Sequence, residues 1–281
     1  MRRITKFAIP VVAFGLILGA CGSNSSPSTD TATIDTAAGA LDPDFISSLG
    51  LVKEGALTVC TDAPYEPFEF QDEVTKEWTG FDMDLMRVIA TSIGDLSLEV
   101  TVQPFDGIWL APKAKICDVV ASAMTITPER SANTLFSDPY FDADQSLLVR
   151  AEDKATLVDL ASLAGKTIAV QTGTTGETYA KENAKDSTLK SFDEPAAMFL
   201  ALEGNQVDAI LQDLPVNGAR LVKEPTKFSL TATFATGEQY GFAVAQDNEA
   251  LVTAINAGLT AAKGSGEYDT IFAKYFGTKD E

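Results

Sequence analysis

Ser122-Ala123-Met124-Thr125-Ile126-Thr127-Pro128-Glu129-Arg130 carries the reading of this chain. Val119 to Ala123 is an apolar run of the kind that fills a buried strand. The run breaks at Thr125, and Thr127-Pro128 reads as a helix N-cap followed by proline at the first helical position. Arg130 is therefore expected in the first turn of a helix, just past the carboxyl end of a strand. Open α/β sheets bind their ligands there. A helix N-terminus disfavours a cation unless an anion is close. A guanidinium fork beside backbone N–H groups and threonine hydroxyls suits a carboxylate held by paired hydrogen bonds. The plain alternative is a surface arginine that begins a helix.

Strands and helices alternate on both sides of this stretch, the mark of a parallel, helix-covered sheet. Ala56 to Asp62 reads as a strand, Phe81 to Gly94 as a helix, and Leu96 to Val102 as an alternating strand. A second series begins after Arg150, with strands at Thr167–Val170, Leu189–Phe192 and Val207–Leu211 and helices between them. Tyr240 to Ala245 is strand-like, and two helices close the chain. The pattern predicts an α/β fold of two lobes. Folding is expected from near Leu51, with residues 51–147 plus 240–281 in lobe 1 and 148–239 in lobe 2. Ser146–Val149 and Gly241–Val244 are the candidate crossing strands.

The chain has 281 residues, a 45% apolar fraction and a formal net charge of −19. Such a surface argues against nucleic acid and anionic lipid as partners. Histidine is absent, which excludes a Ser-His-Asp triad and any histidine-ligated metal site. The acids and cysteines show no metal-ligand spacing, and no cofactor is implied.

Arg2, Arg3 and Lys6 precede an apolar run, Phe7 to Leu18, too short to span a bilayer. Residues 1–20 read as a signal peptide. Leu18-Gly19-Ala20-Cys21 resembles the lipobox of bacterial lipoproteins, which implies cleavage before Cys21 and lipidation of its sulfur. Residues 21–50 are expected to be a tether, disordered on composition. Cys60 and Cys117 remain. Export permits a disulfide, but Cys60 lies late in one strand and Cys117 just before another. A bridge and two buried thiols both stay open.

Gly80-Phe81-Asp82-Met83-Asp84-Leu85 resembles the signature of bacterial extracellular solute-binding proteins for polar amino acids. Further pieces agree in order and spacing. They are Asp62 to Phe70, Phe105-Asp106-Gly107-Ile108, Thr125 to Arg130, Gly173-Thr174-Thr175, Gln212-Asp213 and Gly266 to Gly277. The resemblance implies a periplasmic-binding-protein-like (type II) fold, two α/β lobes joined by two crossing hinge strands. It implies capture of a free amino acid between the lobes, delivery to an ABC permease and ATPase complex, and a monomer on the outer side of the cell membrane. By the same resemblance, Arg130 grips the ligand α-carboxylate, with the Thr125 hydroxyl and backbone N–H groups near Thr125, Thr174 and Thr175. Asp213 and the Ala123 carbonyl take the α-ammonium. Asp62, Tyr65 and Phe105 enclose the side chain, and Gln171 varies with the ligand. Trp109-Leu110-Ala111-Pro112 departs from the family's usual run.

Each residue has a plainer reading. Asp213 precedes Leu214-Pro215 and fits a helix N-cap. Asp62 fits a turn former before Pro64. Tyr65 and Phe105 fit core aromatics, and Trp109 is read as core. Glu66, Glu69 and Glu77 read as solvated charges. Gly165-Lys166-Thr167 is not a phosphate loop, because Lys166 precedes a strand. Two other functions remain: an exported dehydratase acting on prephenate or arogenate, and a sensor module docking on a membrane receptor. With no second pocket cation evident, glutamine or a basic amino acid is favoured as the ligand.

Overall fold

The computed structural model describes residues 43–277, and the signal segment, Cys21 and most of the tether lie outside the described residues. The chain enters through a short helix, α1 (Pro43–Ser48), and strand β1 (Ala56–Thr61). A small hairpin, β2 (Phe70–Gln71) and β3 (Trp78–Thr79), leads to helix α2 (Phe81–Gly94) and strand β4 (Ser97–Val102). Then come β5 (Val119–Val120), the one-turn helix α3 (Pro128–Ser131), β6 (Thr134–Phe136) and a long strand, β7 (Phe141–Arg150). The second half runs β8 (Thr167–Gln171), α4 (Thr175–Asn183), β9 (Thr188–Phe192), α5 (Pro195–Glu203), β10 (Ala209–Asp213), α6 (Leu214–Lys223) and β11 (Phe228–Tyr240). Strand β12 (Ala243–Ala245) and helices α7 (Glu249–Ser265) and α8 (Glu267–Phe276) complete it.

Two five-stranded sheets result, ordered β4-β1-β5-β12-β6 and β11-β7-β10-β8-β9. In the first, β1 is parallel to β4 and β5 while β12 is antiparallel to β5 and β6. In the second, β8 is parallel to β9 and β10, and β7 is antiparallel to β10 and β11. Helices α2, α7 and α8 bury Met83, Leu85, Ile89, Ile255 and Leu259 against the first sheet. Helices α4 and α5 close the second from opposite faces, over Val170 and Leu211 on one side and Ala169 and Ile210 on the other. This is the two-lobed α/β architecture.

One expected crossing strand is found, because Ser146–Val149 lies on β7, and the other is not. Strand β7 starts in the first core at Phe141 and Ala143 and ends in the second at Leu147 and Val149. Its partner is β11, paired from Phe228↔Arg150 to Tyr240↔Phe141. Gly241–Val244 instead enters the first sheet as β12, while Ser146–Val149 lies within the second. In β11, Phe228, Leu230, Ala232 and Phe234 alternate with Ser229, Thr231 and Thr233, and all four pack in or against the cores of the second lobe. That is the period of a half-buried strand, so the sequence carried a signal for β11 that the expected crossing strands left out.

Two other expectations need correction, and the pairing left open at Cys60 and Cys117 is decided. Residues 43–50, expected to belong to a disordered tether, include α1, and Phe45, Ile46 and, just after the helix, Leu49 pack on the first core. The strand expected through Ala123 is only Val119–Val120, and Ala123 adopts a left-handed φ of 42°. Cys60 and Cys117 are bonded, with Cα atoms 5.7 Å apart. Asp118 explains how the strand offset is overcome. Its carboxylate accepts from the Val52 and Thr58 backbone N–H groups, and its own N–H donates to the Thr58 carbonyl, so Cys117 is drawn beside β1.

Candidate functional site

The C-terminal ends of β1, β5, β8 and β10 converge on the gap between the lobes. The ten residues expected to contact a ligand all line one cavity there, and Ser122 joins them. Their roles toward a ligand follow from how each is held.

Arg130 is placed as its local sequence dictates. Thr127 caps α3, its hydroxyl accepting from the Arg130 N–H at 3.2 Å, and Pro128 occupies the first turn. The guanidinium is 4% exposed. It donates to the Thr125 carbonyl at 2.8 Å and, across the cleft, to the Gly173 carbonyl at 3.1 Å. It also stacks over the rings of Phe105 and Trp109, 5.1 and 5.2 Å from their centroids. Trp109, half-buried beneath the arginine, also packs against the core around Phe105 and Ile108, in line with its reading as core. No ion pair to Arg130 exists among the described residues. Burial lowers its pKa, while Asp213 and Glu238 work the other way. A buried guanidinium held by carbonyls and ring faces retains the capacity to grip a carboxylate.

Gly173 permits the close approach of the lobes. Its φ is +76°, and a Cβ there would lie 2.7 Å from the Asp106 carboxylate and 3.0 Å from its backbone. Thr174 is the N-cap of α4: its hydroxyl accepts from the Glu177 N–H and donates to the Gln171 carbonyl. Its side chain is committed to the turn. Thr175 begins α4, and its hydroxyl faces that of Thr125 at 3.4 Å.

Asp213 stands at the N-cap position of α6, yet its side chain makes no cap bond. It accepts instead from Gln145 Nε2 at 2.6 Å, from the Tyr65 hydroxyl at 3.2 Å and from the Tyr240 hydroxyl. Burial, with Glu238 adding, pushes its pKa up to about 6. At the other end of the cavity, Asp62 accepts from Gln171 Nε2 at 2.6 Å. Burial again raises its pKa to about 6, against the pull of the Gln171 bond and helped by Glu194 and Asp193 of the facing lobe. The cavity thus holds one fixed cation, a carboxylate at each of two separate places, and amide N–H groups resting on both carboxylates. Ala123 places its backbone between these ends, its N–H donating to Asp82 at 2.9 Å.

Behind Ser122-Ala123 lies a buried acid pair missed in the sequence. Glu69 was expected in solvent, but it is fully buried and accepts from the Ser122 hydroxyl at 2.9 Å. Asp82 accepts from the Ala123 N–H and from the Tyr140 hydroxyl at 2.7 Å. Burial raises the Asp82 pKa to about 7, and burial beside Asp82 lifts Glu69 well above the carboxylate range. Folded-state values above the unfolded ones stabilise the protein most at low pH, and that gain is lost as pH rises through the folded value. Asp62 and Asp213 act in the same sense. The thermal midpoint of the ligand-free protein should therefore fall as pH rises from about 5 to about 8. Asp82→Asn, which mimics the protonated form, should flatten that slope. Calorimetry showing a midpoint that rises over this window would contradict the assignment.

Sequence reading also missed Gln145, Glu238 and Tyr240. All three lie on the crossing strands, where no local motif marks them. Their only signal was proximity to the hinge, and the hinge was placed a few residues away.

Comparison with known proteins agrees with this geometry. A probable histidine-binding protein of Neisseria gonorrhoeae is 32% identical over 274 residues, covering 96% of this chain and 94% of its own. Among solved structures, a mutant of ArgBP from T. maritima superposes with a TM-score of 0.76 at 36% identity, covering 83% of this chain and 99% of its own. ArgBP is also known in an arginine-bound form. AncCDT-1, an ancestral amino acid-binding protein and precursor of cyclohexadienyl dehydratase, superposes with a TM-score of 0.75 at 34% identity, covering 82% of this chain and 99% of its own. The family model of the bacterial extracellular solute-binding proteins, family 3, matches residues 57–278. That span takes in both lobes, the crossing strands and every group that lines the cleft, and the chain belongs to this family.

Proposed function

We propose that the protein captures a free amino acid with a cationic side chain outside the cytoplasm and hands it to an ABC importer. The observation that carries this is the charge pattern of the closed cleft. Arg130 is buried without an ion pair and suits an α-carboxylate; Asp213 lies within its field and suits the α-ammonium. Asp62, with Asp193 and Glu194 nearby, makes a second negative end where a side-chain cation would sit. Gln171 Nε2 on Asp62 and Gln145 Nε2 on Asp213 occupy positions that ligand N–H groups would share or take.

Glutamine would leave one carboxylate charge uncompensated on closure, whereas arginine, lysine, ornithine or histidine in its charged form supplies one cation for each acid. Closure then buries pairs and not lone ions. Without ligand the closed state strands those charges, and a ligand shifts the population by its preference for the closed form. The likeness to a histidine-binding protein and to ArgBP supports the cationic class. A lipid on Cys21 would hold the monomer at the membrane, and residues 21–42 would give it reach to the permease.

Thermal melting against the twenty common amino acids, ornithine and cystine tests this reading. A ligand at ~100 times its dissociation constant adds about 2.7 kcal/mol. The cationic amino acids should give the largest upward shifts and aspartate and glutamate none. A larger shift with glutamine than with any cationic amino acid would overturn the ligand class. Formation of product from prephenate or arogenate would decide for a dehydratase.

Asp62→Asn sharpens the assignment. It keeps the turn and the size but removes the charge facing the side-chain cation. Titration calorimetry should show affinity for arginine or lysine falling by about 10- to 100-fold, the worth of one charge-assisted hydrogen bond, with glutamine hardly affected. Equal losses for both ligands would mean that Asp62 shapes the cavity without reading charge.

A further inference from the structure

Strand β11 brings one charged side chain to the cleft that has no place in the ligand-contact set. Glu238 lies near the first-lobe end of the crossing pair, opposite Ala143 of β7. Its Oε2 accepts from the Thr125 hydroxyl at 2.7 Å and from the Thr175 hydroxyl at 2.6 Å. Its Oε1 accepts from Gln145 Nε2 at 3.0 Å, and the same nitrogen donates to Asp213. No lysine or arginine pairs with Glu238 among the described residues.

The two threonines belong to opposite jaws. Thr125 follows β5 in the first lobe, and Thr175 opens α4 in the second. Both hydroxyls reach one carboxylate oxygen only when the jaws are together, so opening must break at least one charge-assisted hydrogen bond. Just before Glu238 the pairing of β11 with β7 shifts register, and the Thr236 and Gly237 N–H groups turn onto Asp144 at 3.1 and 3.3 Å. That irregularity sets the side chain on the cleft side of the hinge. Glu238 also adds negative charge beside Asp213, which a ligand ammonium would relieve and a lone closed cleft would not.

We propose that Glu238 is a positioning residue of the hinge: its carboxylate clasps the two jaws through Thr125 and Thr175 and supplies a second anion beside the ammonium seat. With a cationic ligand bound its two effects have the same sign; without one, the charge beside Asp213 opposes the clasp. The clasp favours the closed form, and the added charge favours a closed form that holds a cation. The inference rests on the amino-acid-binding reading for the identity of its ligand and on the hydrogen-bond geometry alone for the clasp.

The test uses the mature chain with L-arginine as probe. Glu238→Ala removes both effects and should weaken arginine binding about tenfold, chiefly through faster dissociation. Glu238→Gln keeps an acceptor for the hydroxyls but loses the charge, and should fall between Ala and the parent. Small-angle scattering should show the ligand-free Gln variant, which keeps the clasp without the repulsion, to be more compact than the ligand-free Ala variant. Saturating arginine should bring both to one compact value. If the parent binds arginine, an Ala variant within twofold of its affinity overturns the proposal. If the parent binds no amino acid, the ligand reading fails by itself and scattering decides the clasp, which is overturned by a ligand-free Ala variant as compact as the Gln variant.

Discussion

Arg130→Ala should abolish useful binding, weakening affinity by about 1,000-fold or more, equivalent to about 4 kcal/mol. Removing one member of a buried, hydrogen-bonded charge pair costs about 2–5 kcal/mol, much of it because the partner stays buried and unpaired. Here the partner is the ligand carboxylate, and no other cation lines the cavity to replace the arginine. Arg130→Lys should recover little. An ammonium on a flexible stem offers no planar fork and cannot stack on Phe105 and Trp109 as the guanidinium does. Because Arg130 forms no ion pair with the described chain, its removal breaks two carbonyl hydrogen bonds and the ring stacking and leaves the fold otherwise intact. Circular dichroism should show a native spectrum while calorimetry shows no heat of binding. Retention of affinity within tenfold of the parent would remove the basis of the whole assignment.

Asp213→Asn is expected to have the next largest effect, about 100-fold. The substitution keeps one acceptor for the Tyr65, Tyr240 and Gln145 donors, but puts an amide N–H where the carboxylate accepted one of them. It also removes the anion that faces a ligand α-ammonium. A ligand analogue lacking the α-amino group separates these losses. The parent should discriminate strongly against it, because buried carboxylate is left unpaired, and the Asn variant should lose most of that discrimination. If parent and variant reject the analogue by the same factor, Asp213 does not read the ammonium, and its role is confined to the Tyr65–Tyr240–Gln145 network.

The readings that succeeded from sequence rest on short-range rules. Thr127-Pro128 announces a helix start, and Arg130 lies in its first turn because three residues of backbone geometry decide it. The alternation of strands and helices leads to two layered lobes because each apolar face must find a cover. Asp62 and Asp213 end apolar strands, and strand ends of α/β sheets meet at the ligand gap.

The failures share a cause as well. Glu69, one of three glutamates read as solvated, is buried because β1, α2 and the Ser122 loop close over it from distant parts of the chain. Strand β11 carries an alternating apolar pattern at Phe228, Leu230, Ala232 and Phe234, but nothing local says that it runs on from there to bridge the two cores. Trp109 is under Arg130, and Cys117 against Cys60, through contacts that no local pattern records. The amino-acid order by itself determined the class of fold, the place of the cleft and the charges at its two ends. Tertiary structure alone decided that β11 is the second hinge strand, which acids have their pKa raised by burial and which side chains couple the jaws. Those outcomes depend on desolvation and on distances between residues about 50 to 150 positions apart, and both exist only once the chain has folded.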